Sequence, residues 1–166
     1  MHRLILMRHA VAEPRASSGS DRDRVLSAAG KADAAAMGRL LAARGIRPDL
    51  ALVSAAGRTR GTWELAHEAF GDVEVRLLDS LYDAPATAIR RLIEAEEDNV
   101  GCLMVVAHNP GVHVLAVEYL TESAASPALL ERMSGGFPPG SAAVFQVDAA
   151  GRPTYDGFFT PQTAGA

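Results

Sequence analysis

A chain of 166 residues, 48% of them hydrophobic, has the size and apolar content of one domain with a substantial core. Its net charge of −4 offers no global basic field for nucleic acid. Nor does any stretch approach the roughly 18 to 20 apolar residues of a membrane span.

One cysteine, Cys102, excludes an intrachain disulfide, and its setting in the apolar run VGCLMVVAH reads as a buried thiol in a reducing compartment. The N-terminal apolar run is four residues long before Arg8 breaks it, so no secretory leader is expected. These features predict a cytoplasmic protein with a single domain over residues 1–166.

Taken in chain order, RLILM (3–7) is the first strand, and AEPRASSGSDRDR (12–24), rich in small and turn-forming residues, is a loop. Residues 27–45 carry Ala36, Met37, Leu40 and Leu41 at helical spacing, with Gly45 as a stop. LALVS (50–54) is a second strand, and RTRGTWELAHEAF (58–70) is a helix ending before Gly71. Strand 73–77 precedes helix 86–97, whose Ile89, Leu92 and Ile93 form one stripe. Strand 102–108 leads past Pro110 into helix 111–120. A Gly/Pro-rich loop (133–142) then enters strand 142–148, and PTYDGFF is expected to pair with that strand as a hairpin around Gly151. Several strands are apolar on both faces and alternate with helices. The expected fold is therefore α/β: a three-layer sandwich with a mainly parallel sheet covered by helices on both sides.

Ligands of such sheets collect where parallel strands end at their carboxyl edge. The first strand leaves Arg8 and His9 there. The second leaves Ser54, with Arg58 and Arg60 at the start of the next helix, and the fourth leaves His108, Asn109 and Pro110. Arginine forks donate paired hydrogen bonds to tetrahedral oxyanions and stay charged, and two helix N-termini add favourable dipoles. A phosphate group is the occupant this chemistry fits. Arg60 either reaches the pocket or lies on the helix surface. His113 reads as a helix residue near the pocket rim or in packing, and Trp63 and His67 as helix residues in the core or on its margin.

LILMRHA, LVSAAGRTRGT and VVAHNPG, in that order, resemble the three separated motifs of the histidine phosphatase superfamily, the phosphoglycerate mutase-like fold. The likeness is greatest to its short SixA-like phosphohistidine phosphatase branch, and DRDRVLS and the helix after it share it. The resemblance implies that His9 is a nucleophile, transiently phosphorylated, and that Arg8, Arg58 and His108 complete the phosphate pocket. It implies no metal or other cofactor. The implied substrate is a phosphorylated protein carrying phosphohistidine, with a small phosphate ester as the alternative. A phosphoprotein-binding module without turnover is the rival from another class.

Larger relatives place a glutamate in Leu-Xaa-Glu after the third strand. Leu81-Tyr82-Asp83 has that spacing, making Asp83 the candidate proton donor and Asp79 the runner-up, although Asp83 also reads as a turn carboxylate before Pro85. Arg24 either lines the substrate mouth or contacts the following helix, and Asn109 either shapes the turn at Pro110 or touches phosphate. Two departures stand out. Ala10 replaces the glycine that commonly follows Arg-His, and SAAGR lacks the proline many relatives have after serine.

Overall fold

A computed structural model describes residues 1–164. Six strands form one sheet in the order β3-β2-β4-β1-β5-β6. β1 (Arg3–Arg8), β2 (Leu50–Ser54), β3 (Glu74–Leu78) and β4 (Cys102–Ala107) run parallel, while β5 (Ala142–Val147) and β6 (Pro153–Phe159) close the sheet as an antiparallel hairpin beside β1. β1 therefore lies inside the sheet, in register with β4 from Arg3↔Cys102 to Arg8↔Ala107.

Alternation along β1 explains why both sheet faces are covered. Leu4 and Leu6 point into a core shared with Leu52, Leu103 and Val105, into which α3 (Ala86–Glu94) and α4 (Gly111–Glu122) send Ile89, Ile93, Leu115 and Leu120. Ile5 and Met7 point the other way, joining Val53, Met104 and Val106 beneath α1 (Ala28–Ala43) and α2 (Gly57–His67). Helices thus cover both faces, as the near-continuous apolar strands require. α1 and α2 cross closely at Gly38, where a Cβ would lie 2.3 Å from the Ala66 carbonyl oxygen.

Three local features differ from the sequence reading. A short helix, α5 (Pro127–Ser134), occupies a stretch to which the sequence reading gave no element and enters the loop read from 133, started by Ser126, whose side chain accepts from Leu129 N–H, and by Pro127 at the first turn. Apolar periodicity over eight residues is too brief to announce it. α2 stops at His67, and the chain turns through Phe70 with Phe70 N–H bonded to the His67 carbonyl. β3 is an exposed edge, with Val75 43% and Leu77 52% accessible and alternating with charged Glu74 and Arg76. Its charges are one way an edge strand is protected from further pairing. A final short helix, α6 (Pro161–Ala164), ends the described chain.

Candidate active site

β2, β4 and β1 are neighbours in the sheet, so the residues leaving their carboxyl ends meet above one edge. Backbone bonds set His9 in place from two sides. Its N–H donates to Ala107 O of β4 (3.1 Å), and its carbonyl accepts from Gly140 N–H (2.8 Å) in the loop before β5. Gly140 has φ +81, a left-handed conformation that glycine adopts without penalty. Ala10 follows, fully buried; its N–H donates to Thr62 Oγ1 (2.9 Å), and Thr62 in turn donates to the Arg58 carbonyl (2.7 Å). One hydroxyl of α2 thus ties the loop after His9 to the helix that carries Arg58. Among the described non-glycine residues only Asp83 and Ala124 have positive φ, so Ala10 sits in a backbone conformation that accepts its Cβ.

The His9 ring is oriented by Nδ1, which lies 2.7 Å from the Ala10 carbonyl oxygen. A carbonyl only accepts, so Nδ1 carries the proton and Nε2 keeps its lone pair. Burial pushes the His9 pKa down to about 4, with the charges of His108, Arg58 and Arg8 adding to the effect against the bond to Ala10. His9 is consequently a neutral imidazole at physiological pH with Nε2 available for attack.

His108, 3% exposed, has its ring 5.4 Å from that of His9 and its Nε2 2.7 Å from Ser54 Oγ. Its pKa is likewise lowered to about 4, first by burial and then by Arg58. Ser54 Oγ also accepts a long bond from Ala56 N–H (3.4 Å) and can either donate to His108 Nε2 or accept from it. His108 Nδ1 is a buried atom without a protein partner, and it is a donor for an oxyanion in the tautomer in which Ser54 donates to Nε2.

Arg8 donates from Nη1 to the Phe137 carbonyl (3.0 Å), leaving its buried Nε unpartnered. The same carbonyl accepts from Asn109 Nδ2 (3.1 Å), so the loop before β5 links the ends of β1 and β4. Burial lowers the Arg8 pKa, and the neighbouring Arg58 charge lowers it further. Two guanidiniums that repel each other across a pocket with spare donors are stabilised by an anion between them. Arg58, 5% exposed, donates from Nη1 to the Asp21 carbonyl (2.9 Å) and from Nη2 to the Asp21 carboxylate (3.1 Å).

The other residues singled out in the sequence are placed as follows. Asp83 is exposed, at φ +51 in the turn beyond Tyr82. Asp79 is ion-paired with Arg22 at the surface. Asn109 uses its amide nitrogen on Phe137, while its Oδ1 is buried without a partner. Arg24 bonds through Nε to the Glu13 carbonyl (2.7 Å) and through Nη1 to Asp21 (2.9 Å). Arg60 is exposed and lines a groove of about 550 Å³ with Val25, Lys31 and Glu64, on the outer side of α2.

Four participants were not singled out from sequence: Asp21, Tyr82, Thr62 and Phe137. Tyr82 donates its phenol to Asp21 and sets its ring edge-on to His108 at 5.6 Å. Thr62, four residues after Arg58, had a signal, since a hydroxyl one helical turn on can reach back to the carbonyl. Phe137 acts through its carbonyl, and no residue type announces that. Among the described residues no group of three or more His, Cys, Asp and Glu is placed to hold a metal ion.

Both depressed histidine values have a measurable consequence. A ring with an ordinary pKa of 6.5 that titrates near 4 when folded takes up its proton in the unfolded chain first. The stability it contributes is complete above about 6.5 and declines as pH falls through about 4. NMR titration of the His9 and His108 rings is expected to show midpoints near 4, and Tm should drop across the same interval. Midpoints near 6.5 would show that the rings are hydrated and not enclosed as described.

Comparison with known proteins adds the following. The profile of the histidine phosphatase superfamily (branch 1) matches residues 4–100. A crystal structure described as a candidate phosphohistidine phosphatase SixA from Agrobacterium tumefaciens superposes with a TM-score of 0.85 at 32% identity, covering 96% of this chain and 98% of that one. Another candidate SixA, from Nakamurella multipartitia, gives 0.82 at 27% identity, covering 96% of each chain. An uncharacterized protein of Mycobacterium tuberculosis is 35% identical over 128 residues, 77% of this chain and 79% of the relative.

Proposed function

Since this chain belongs to branch 1 of the histidine phosphatase superfamily, we propose that it is a phosphohistidine phosphatase of the SixA type working through phospho-His9. The observation that carries the reading is the state of His9. Its Nδ1 is engaged by the Ala10 carbonyl, its ring is neutral, its Nε2 is left free, and Arg8, Arg58 and His108 lie close enough for their charges to act on it.

In the first step the Nε2 lone pair forms a bond to phosphorus as the bond to the substrate imidazole breaks. That imidazole leaves neutral, keeping the proton on its other ring nitrogen. Bond made and bond broken are alike, so the step needs no external acid; it needs in-line positioning and donors on the equatorial oxygens. Arg8 Nε is a buried N–H with such donor capacity to spare, and the buried, unpartnered His108 Nδ1 is a second when Ser54 donates to Nε2. Water then attacks phosphorus, the P–Nε2 bond breaks, and both water protons leave on dihydrogen phosphate. His9 returns to its neutral form with Nδ1 still on Ala10.

Carboxylate placement favours a substrate whose leaving group brings its own proton. Asp83 is exposed, Asp79 is paired with Arg22, and Asp21 is held ionised by Tyr82, Arg24 and Arg58. An alkyl phosphate would need a protonated donor for its alkoxide. A cytoplasmic location belongs to the same proposal and is supported by the single, buried Cys102, whose thiol pKa burial pushes up to about 12.

The test compares phosphate release from a phosphohistidine-bearing protein and from alkyl phosphate esters, for wild type and Asp83→Asn. Turnover of the phosphohistidine protein is expected to survive Asp83→Asn within about twofold, because an exposed turn carboxylate adds little to a leaving group already protonated. A preference for alkyl esters that collapses in Asp83→Asn would move the assignment to small-molecule phosphomonoester hydrolysis. Oxyanion binding with no turnover of either substrate would support a binding module.

A further inference from the structure

Arg58 reaches the phosphate pocket with an anion already on it. Its side chain is 6% exposed, and that of Asp21, which it meets at 3.1 Å, is 50% exposed at the mouth. The Asp21 carboxylate also accepts from Tyr82 on the oxygen that meets Arg58, and from Arg24 Nη1 (2.9 Å) on the other. These donors, Tyr82 foremost and then Arg24, hold the carboxyl far below the usual carboxylate range, so its negative charge persists at every working pH. The site therefore carries Arg8 and Arg58, with Arg24 on the outer oxygen of Asp21, and one fixed negative charge set directly on Arg58.

We propose that Asp21 limits how tightly the pocket retains a phosphate anion, so that inorganic phosphate departs after phospho-His9 is hydrolysed. The inference rests on the phosphatase reading and assigns to that site a control on product release. A carboxylate against an arginine has two opposed effects on an incoming oxyanion: it fixes the guanidinium in place, which helps, and it repels the oxyanion, which hinders.

The contacts here decide between them. Arg58 is also anchored by the Asp21 backbone carbonyl at 2.9 Å, which any residue at position 21 supplies, and it stacks over Tyr82 at 5.8 Å. The loop bearing Asp21 has anchors of its own. Arg22 pairs with Asp79, Arg24 Nε holds the Glu13 carbonyl at 2.7 Å, and Gly57 lets the loop so close that a Cβ there would sit 2.7 Å from the Arg24 carbonyl oxygen. Positioning thus survives removal of the Asp21 charge, whereas repulsion does not. Asparagine at the position keeps the shape and an acceptor for Arg58 and Tyr82 but turns an N–H toward Arg24, and serine, which has no such group, separates that effect from the loss of charge.

The experiment is calorimetric titration of inorganic phosphate into the full chain, for wild type, Asp21→Asn, Asp21→Ser and Arg58→Ala, with progress curves for phosphate release alongside. Both neutral Asp21 variants are expected to bind phosphate about tenfold more tightly than wild type, the size of one like charge at close range in a partly hydrated site. Their KM should fall, and product inhibition should set in earlier. Equal or weaker phosphate binding in a neutral variant that melts like wild type would overturn the proposal and make Asp21 a positioning residue alone. Wild type that releases no phosphate from a phosphohistidine-bearing protein, with neutral Asp21 variants and Arg58→Ala equally unable to bind phosphate, would overturn the phosphatase reading and this inference with it.

Discussion

Replacing His9 with alanine is expected to lower phosphate release from a phosphohistidine-bearing protein by at least about a thousandfold, with inorganic phosphate still bound within about tenfold of wild-type affinity. The separation follows from the division of labour around the ring. In the proposed step His9 supplies the electron pair through Nε2, while the donors for the oxyanion belong to Arg8 at the end of β1, Arg58 in α2 and His108 after β4. Alanine also strips the buried Ala10 carbonyl of its partner, a loss of about 1 to 3 kcal/mol. His9→Asn is the companion variant, because its amide N–H can serve that carbonyl without providing a nucleophile. Loss of turnover in both variants, with Tm kept in the asparagine form, identifies chemistry and not folding as the cause. Turnover above about a tenth of wild type in either would remove His9 from the nucleophile's role.

Arg8 carries the second large effect. Arg8→Lys is expected to cost about a hundredfold in kcat/KM and Arg8→Ala about a thousandfold, the range for losing a preorganised donor and then its charge. Lysine cannot hold the Phe137 carbonyl with one nitrogen while presenting another, fixed in the same plane, to the oxyanion. The Arg8 fork does both: Nη1 is spent on Phe137, and Nε is buried with no protein partner. A cost below about tenfold for Arg8→Ala would mean that the guanidinium only staples the loop before β5 to the end of β1.

Much of this site could be read before any coordinates, for a physical reason. Motif residues at the ends of buried parallel strands have little freedom. Once LILM, LALVS and CLMVVA are placed in one sheet, Arg8, Ser54 and His108 must come out along one edge. The sheet class, the helical cover on both faces and the C-terminal hairpin followed from the same alternation of apolar runs.

Loops and backbone atoms were harder to read. Asp21 lies in a polar stretch whose composition says only that it turns, yet its carboxylate meets Arg58, Arg24 and Tyr82. Phe137 looked like one more apolar residue in a Gly/Pro-rich connection, and its contribution is a carbonyl shared by Arg8 and Asn109. Position 83 shows the limit of spacing. Leu81-Tyr82-Asp83 has the expected interval, but the chain turns at φ +51 and the carboxylate is exposed, while Tyr82 is the residue beside His108.

The place of β1 inside the sheet has a consequence for how the protein is made. Its two neighbours are β4, in which Cys102 faces Arg3, and β5, in which Gln146 faces the same residue. During synthesis the strand bearing Arg8 leaves the ribosome first and has no partner until roughly a hundred more residues have followed. Loop closure over that span is slow compared with pairing of adjacent segments. A nascent chain therefore displays the Arg-His pair long before it has a pocket. The contacts that hold the pair, Phe137 O on Arg8 and Gly140 N–H on the His9 carbonyl, come from the loop that enters β5, so they form only with the last third of the chain.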